Sequence, residues 1–354
     1  MTTAESSNSD SRGDASQITS LACDPAWLPH RIIDGDRAFR FVHAPRDVHR
    51  GVTFLDDEYL DPALPRVDAL QAELAAAAIA SEAPAHFIFH SAFARSTLLA
   101  RALDLPGQAI GLKEPIILND AIALARARRL SDTTLDLLLK LLGRPFAEGE
   151  TVIIKPSSIV TPLASSLLRL RPKARAILME RPLPEFLRSI AAKGMFGRIW
   201  ARRQLAFLRP HAPFDAGFSS DDFLFQTDLQ AAAFAWLIQR AQFAALARAM
   251  PERVRALCSE DLVTDRVGTL VEIGRWFGLG IERPQAVSIA AGPAFARHSK
   301  TLGNLSEETG GQQPSPYEAE IGMVSEWITA VAQHVGVSLD HAPAWGSARQ
   351  NSAS

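Results

Sequence analysis

Short apolar runs alternate with amphipathic stretches along most of the chain, a pattern that predicts parallel strands joined by crossover helices. Residues 86–89, His-Phe-Ile-Phe, read as a buried strand leading through a loop into a helix over 96–103. Residues 151–154 read as a second strand, ending at Lys155-Pro156. A third covers 174–179 and runs into a helix from about 184 to 192, and a fourth covers 253–258 and precedes a helix from about 264 to 277. Residues 110–112 form a short fifth. In the stretch Asp228–Ala249, Phe234, Leu237 and Ile238 recur at helical spacing, which predicts a helix laying one apolar face on the sheet. The expected fold class is α/β, a parallel sheet flanked by helices.

At both ends the patterning fades. Residues 1–20 are rich in Ser, Asp, Asn and Gly and read as a tail without structure, as do 346–354. One domain over 21–345 is the simplest reading between them. With 37 basic and 39 acidic residues the chain has no global field to attract nucleic acid, so any anion-binding power must be local. Two cysteines, Cys23 and Cys258, exclude a disulfide framework, and the nine histidines form no metal-ligand motif. No metal is expected. The polar, acidic start lacks a signal-peptide core, and no apolar run reaches the roughly 20 residues of a membrane span, so the cytoplasm is the expected location.

In parallel α/β sheets ligands bind at the carboxyl ends of the strands. There the chain places Ser91 to Thr97, Lys113-Glu114, Lys155 to Ser158, Glu180-Arg181 and Ser259 to Asp261. Several cations at one edge suggest an anionic ligand. In Phe89-His90-Ser91-Ala92-Phe93-Ala94-Arg95-Ser96-Thr97 a strand enters a tight loop and then a helix. Free N–H groups, two hydroxyls and a guanidinium suit a phosphate at that point. Ser96 or Thr97 equally suits an ordinary helix cap. The Gly-x-x-x-x-Gly-Lys-Ser/Thr pattern of ATP- and GTP-binding loops is absent. Arg181 ends the third strand, and Ser189 follows eight residues later in a helix. Both reach one phosphate if that helix folds back; otherwise they are surface residues.

Together these segments resemble the sulfotransferases that use 3′-phosphoadenosine 5′-phosphosulfate (PAPS). The resemblance implies a P-loop-like fold in which Ser91, Ala94, Arg95, Ser96 and Thr97 hold the 5′-phosphosulfate, while Arg181 and Ser189 hold the 3′-phosphate. Lys155, in Ile-Lys-Pro-Ser-Ser, matches the lysine near the bridging oxygen. Leu257-Cys258-Ser259-Glu260-Asp261-Leu262 is similar to the family's Tyr-Glu-Asp-Leu segment, and Arg297, His298 and Lys300 stand where a basic loop closes over the nucleotide. The likeness runs from about 86 to 300. The chain departs from the pattern in lacking the loop glycine, in having Ser259 for the tyrosine, and in having Ser157 where some relatives keep a histidine.

By the same resemblance the chain would transfer a sulfuryl group to a hydroxyl or amine of an acceptor, a small molecule, carbohydrate or peptide. Arg95 and Lys155 would offset charge on the departing oxygen, and a nearby base would take the acceptor's proton. Glu114 is the first candidate base and His90 the second; Glu114 also suits a plain ion pair, and His90 a structural hydrogen bond. Two other functions stand beside this one: a non-catalytic nucleotide-binding protein, and a P-loop-like kinase, which lacks its lysine loop here. The stretch 195–222 mixes Phe196, Trp200, Phe207, Phe214 and Phe218 with arginines, which suits an acceptor lid or ordinary packing. The sequence leaves the acceptor and the oligomeric state open.

Overall fold

The structure is a computed structural model that describes residues 15–77, 79, 84–296 and 316–340. All of the anticipated strands form, in a five-stranded parallel sheet: β4 (Ala85–His90), β5 (Ala109–Lys113), β6 (Thr151–Lys155), β7 (Ala176–Glu180) and β8 (Val254–Cys258). Their order is β5-β6-β4-β7-β8, so the loop after β4 leaves from the centre of the sheet. β4 to β7 are buried along their whole length, as expected of a sheet covered on both faces.

The two-residue period of the strands divides the core. Phe87, Phe89, Ile110, Leu112, Val152, Ile154 and Leu178 face one layer, and Ile88, Ile153, Ile177, Met179 and Leu257 face the other. On the second face, helix Ser96–Ala102 lies close against β5. An added Cβ at Gly111 would stand 2.4 Å from the Ala100 carbonyl oxygen, so only glycine permits this approach.

Three features depart from the sequence reading. Helix Ala15–Cys23 occupies part of the stretch read as a tail, because Ile18 and Leu21 bury against the first core layer and Ala22 is buried beside them. Arg144 secures this region by donating to the Leu21, Asp24 and Trp27 carbonyls. Second, β1 (Trp27–Ile33), β2 (Ala38–His43) and β3 (Arg66–Leu70) form a separate antiparallel sheet, whose Phe39 and Phe41 join the core of the parallel sheet. Third, helix Asp228–Ala249 is not one-faced: it is buried almost all round from Leu229 to Ala241. Its many alanines allow neighbours to close in on every side, and its buried polar residues all have partners. Among the described residues no helix is long and apolar enough to cross a membrane.

His86 adds a pH dependence. Its ring stacks on Phe277 (5.0 Å between centroids), Nδ1 accepts from the Arg175 N–H (3.0 Å), and Nε2 faces the Phe277 carbonyl (3.2 Å). Burial pushes its pKa from 6.5 down to about 4. The unfolded chain therefore binds the proton first as pH falls, and folded stability drops between pH 6.5 and 4, by about 3 kcal/mol in the limit. Urea denaturation at pH 7 and pH 4.5 measures this. His86→Phe should remove part of the difference, because the buried His49, held down to about 3, loses stability over the same window; an unchanged difference would take His86 out of the acid sensitivity.

Candidate active site

At the carboxyl edge the loop after β4 turns through two strained residues. Phe93 has φ +61° and Arg95 φ +58°, left-handed values that glycine adopts without cost but that cost other residues about 1–2 kcal/mol each. The loop thus keeps a tight path without the glycine that the sequence lacks. Arg95 is the residue before the first turn of helix Ser96–Ala102, and no side chain caps that turn. Ser96 and Thr97 lie inside the helix and are buried, so neither acts as its cap. Ala94 packs its methyl into the core and leaves only its backbone for a ligand.

Main-chain and side-chain bonds join this loop to the tip of β7. The Arg181 N–H donates to Ser91 Oγ (3.2 Å), and Arg181 Nη1 donates to the Phe93 carbonyl (3.1 Å). Ser189 lies two turns along helix Leu183–Ala192 and gives its hydroxyl proton to the Glu185 carbonyl (2.9 Å). Helix Asp228–Ala249 props the same edge from behind. Trp236 Nε1 donates to the Arg181 carbonyl (2.9 Å), Gln239 to the Ser158 carbonyl (3.0 Å), and Arg240 to the Glu180 carboxylate (2.7 Å). Burial pushes Glu180 above the usual carboxylate range, and Arg240 opposes that shift.

Lys155 and Glu114 meet on the other side of the loop. Lys155 Nζ is wholly buried and donates to Glu114 Oε1. Burial lowers the lysine pKa, and the Glu114 carboxylate opposes the shift by favouring the ammonium. Glu114 itself has φ +52°, the third left-handed non-glycine residue at this edge. Such strain gathers where the surrounding structure fixes a residue for use. His90 Nε2 stands 3.7 Å from Glu114 Oε1. Its two ring nitrogens lie 3.0 Å from the Ser91 and Pro156 carbonyls, and a neutral ring satisfies only one of these. Neither nitrogen is left facing outward as a base. Ser157 bonds Asn119 Oδ1 (2.5 Å).

Arg95 Nε is buried and makes no hydrogen bond among the described residues, while the Glu260 carboxylate stands 4.0 Å away. Ser259 is fully buried and its hydroxyl points to Glu260 (3.4 Å), so it offers no aromatic surface to a base. Arg297, His298 and Lys300 lie outside the described residues. Helix Gly194–Leu208 borders the loop, with Trp200 edge-on to Phe93 (5.2 Å) and Lys193 Nζ over the same ring (5.7 Å). Phe214 and Phe218 pack on Phe234, and Arg202 pairs with Asp228 (2.7 Å), so most of this stretch is packed structure. Met195, Phe196 and Ile199 are exceptions, at 76%, 71% and 47% exposed.

The sequence reading missed residues 52–60. Phe54 lies over Lys155 Nζ (5.4 Å) and edge-on to Tyr59 (5.3 Å), which walls the Lys155–Glu114 pair. An aromatic-acidic run, Phe-Leu-Asp-Asp-Glu-Tyr, was the only signal in the sequence.

No family model matches the chain, and no curated protein matches it. Among solved structures it is similar to the sulfotransferase domain from the curacin biosynthetic pathway, at 12% identity and TM-score 0.38, covering 70% of this chain and 99% of that one. The sulfotransferase domain of the Synechococcus PCC 7002 olefin synthase gives 14% identity and TM-score 0.38, over 70% and 96% of the two chains. A sulfotransferase from Mycobacterium tuberculosis gives 12% and 0.38, over 71% and 77%. These likenesses are faint.

Proposed function

We propose that the chain is a sulfotransferase that takes a sulfuryl group from PAPS and passes it to a hydroxyl or amine. The observation that carries this reading is the joining of the Ser91–Thr97 loop to Arg181 at one sheet edge, beside the buried Lys155. The residues fit an anionic nucleotide, because Arg95 Nε is a buried donor with no hydrogen-bond acceptor among the described residues. PAPS would supply an activated sulfuryl group and a stable leaving nucleotide.

The chain's own residues would do the rest by position and charge. Arg95 and the uncapped first turn of helix Ser96–Ala102 would hold the phosphosulfate end, together with Ser91, Ser96, Thr97 and the Ala94 backbone. Arg181 would hold the 3′-phosphate, with Ser189 turning from the Glu185 carbonyl to join it. Lys155, kept charged by Glu114, would offset the negative charge that grows on the departing oxygen. The acceptor would enter between residues 52–60 and helix Gly194–Leu208, the two walls of the edge.

A second reading, nucleotide binding without transfer, is favoured by two observations: Glu114 is engaged by Lys155, and both nitrogens of His90 face main-chain carbonyls. One experiment separates the two. The protein is incubated with PAPS and a panel of phenols, alcohols, amines and sugars, and 3′-phosphoadenosine 5′-phosphate (PAP) is followed by chromatography. Acceptor-dependent PAP formation that Arg95→Ala abolishes supports transfer. Binding of PAP with no turnover on any acceptor supports the second reading.

A further inference from the structure

The segment 52–60 carries a carboxylate that none of the roles above uses. Leu55 is tied to the main chain on both sides of Glu114. Its N–H donates to the Lys113 carbonyl (2.8 Å), and its carbonyl accepts from the Ile116 N–H (3.1 Å). That pairing holds residues 54–56 against 113–116: Asp56 comes close enough to Glu114 for the two carboxylates to repel, while Phe54 on the other side of Leu55 covers Lys155. Asp56 Oδ1 accepts the N–H groups of Glu58 (3.0 Å) and Tyr59 (3.1 Å), which fixes the carboxylate's orientation.

We propose that Asp56 is the general base that takes the acceptor's proton. This rests on the sulfotransferase reading. The acceptor oxygen or nitrogen attacks sulfur and forms a new bond to it. The bond from sulfur to the 5′-phosphate oxygen breaks, and its electron pair leaves with PAP. The acceptor's proton passes to the Asp56 carboxylate and from there to water.

The neighbours decide between Asp56 and the two earlier candidates. Glu114 is bound to Lys155, and a carboxylate held by an ammonium is a weak proton acceptor. His90 has no nitrogen directed outward. Asp56 is half-buried, and burial lifts its pKa above the ordinary value; the Tyr59 and Glu58 N–H groups oppose the shift, and repulsion from Glu58 and Glu114 adds to it. The result is two carboxylates with separated tasks, one holding Lys155 and one placed to take a proton. The charged groups facing Asp56 are Glu58 and Tyr59 from its own loop and Glu114 from the end of β5, with Lys155 of β6 and His90 of β4 behind Glu114. Asp57 turns away to His30 (2.7 Å) and Arg31 (2.8 Å).

The test uses the full chain, PAP and PAPS. PAP binding is measured by calorimetry from pH 5 to pH 8 in buffers of different ionisation enthalpy, which reports protons taken up. An anion arriving beside Asp56 favours its protonated form, so wild type should take up a proton fraction that Asp56→Asn loses, and the part of the pH dependence of PAP affinity that is linked to that proton should go with it. PAPS turnover should rise with pH through the Asp56 titration and then level. In Asp56→Asn it should fall roughly 10²- to 10⁴-fold and lose that acid limb. Asp56→Glu should keep an acid limb at a shifted pH, which carries the test if the asparagine variant fails to fold. An acid limb that neither substitution moves, or equal proton uptake in wild type and Asp56→Asn, overturns the assignment of Asp56 alone. No PAP binding by wild type overturns the sulfotransferase reading and Asp56 with it.

Discussion

Replacing Glu150 by alanine is expected to remove roughly 3–5 kcal/mol of stability, the cost of breaking a buried ion pair from one side. Glu150 is 0% exposed and sits just before β6. Its carboxylate takes Arg46 Nη1, the Gly107 N–H (2.7 Å) and the Ala147 N–H (3.1 Å). Arg46 in turn reaches Asp104 (3.1 Å) and the Ala109 carbonyl at the start of β5 (3.0 Å). Removing the carboxylate strands two backbone donors and leaves the Arg46 guanidinium with only Asp104 and the Ala109 carbonyl, at the edge of the sheet opposite the candidate site. Domains of ordinary size have about 5–15 kcal/mol in all, so this one change should take a large share. Urea denaturation at neutral pH reads the loss, and Glu150→Gln, which keeps an acceptor oxygen, should restore part of it. A loss below about 1 kcal/mol would mean that the pair behaves as a solvated surface bridge.

The second large effect concerns chemistry rather than folding. Lys155→Met should lower PAPS turnover roughly 10²- to 10³-fold, the usual loss when one preorganised charge partner of a transition state is removed. The substitution keeps much of the apolar stem under Phe54 and deletes the ammonium that Glu114 holds. Glu114 is only partly buried, at 21% exposed, so its carboxylate can be hydrated and the melting temperature should fall modestly. Lys155→Arg should rescue poorly, because a wholly buried site built around one amine has no room for a planar fork. Turnover at the wild-type rate in Lys155→Met would remove the lysine from the mechanism.

Much of this arrangement could be read from the chain because it depends on local pattern. Five short apolar runs, each ending in a polar residue, gave the parallel sheet and the carboxyl edge where the candidate site lies. The Arg-Ser-Thr helix start and the Arg181 strand tip marked two candidate anion-binding segments, which the fold brings to one edge. What stayed hidden depends on long-range contact. Leu55 pairs with Lys113 and Ile116 through backbone atoms alone, so no side-chain pattern announces that Asp56 lies beside Glu114. Gln239 and Arg240 look like the polar side of an amphipathic helix, yet both are buried as props for Ser158 and Glu180. The antiparallel sheet did leave a signal. Asp34-Gly35 between two apolar runs is a hairpin signature, and Gly35 has φ +61°. Pro29, His30 and Arg31 interrupt the alternation of β1 and obscure it, and the register shifts between Pro29 and Arg31.

The central claim is that the Ser91–Thr97 loop and Arg181 form one site for an adenosine 3′,5′-bisphosphate. Calorimetric titration of the full chain with PAP, beside ATP with and without magnesium, tests it most directly. The account predicts selective PAP binding that Arg95→Ala and Arg181→Ala each weaken. Absence of PAP binding, or a preference for magnesium-bound ATP, would contradict it.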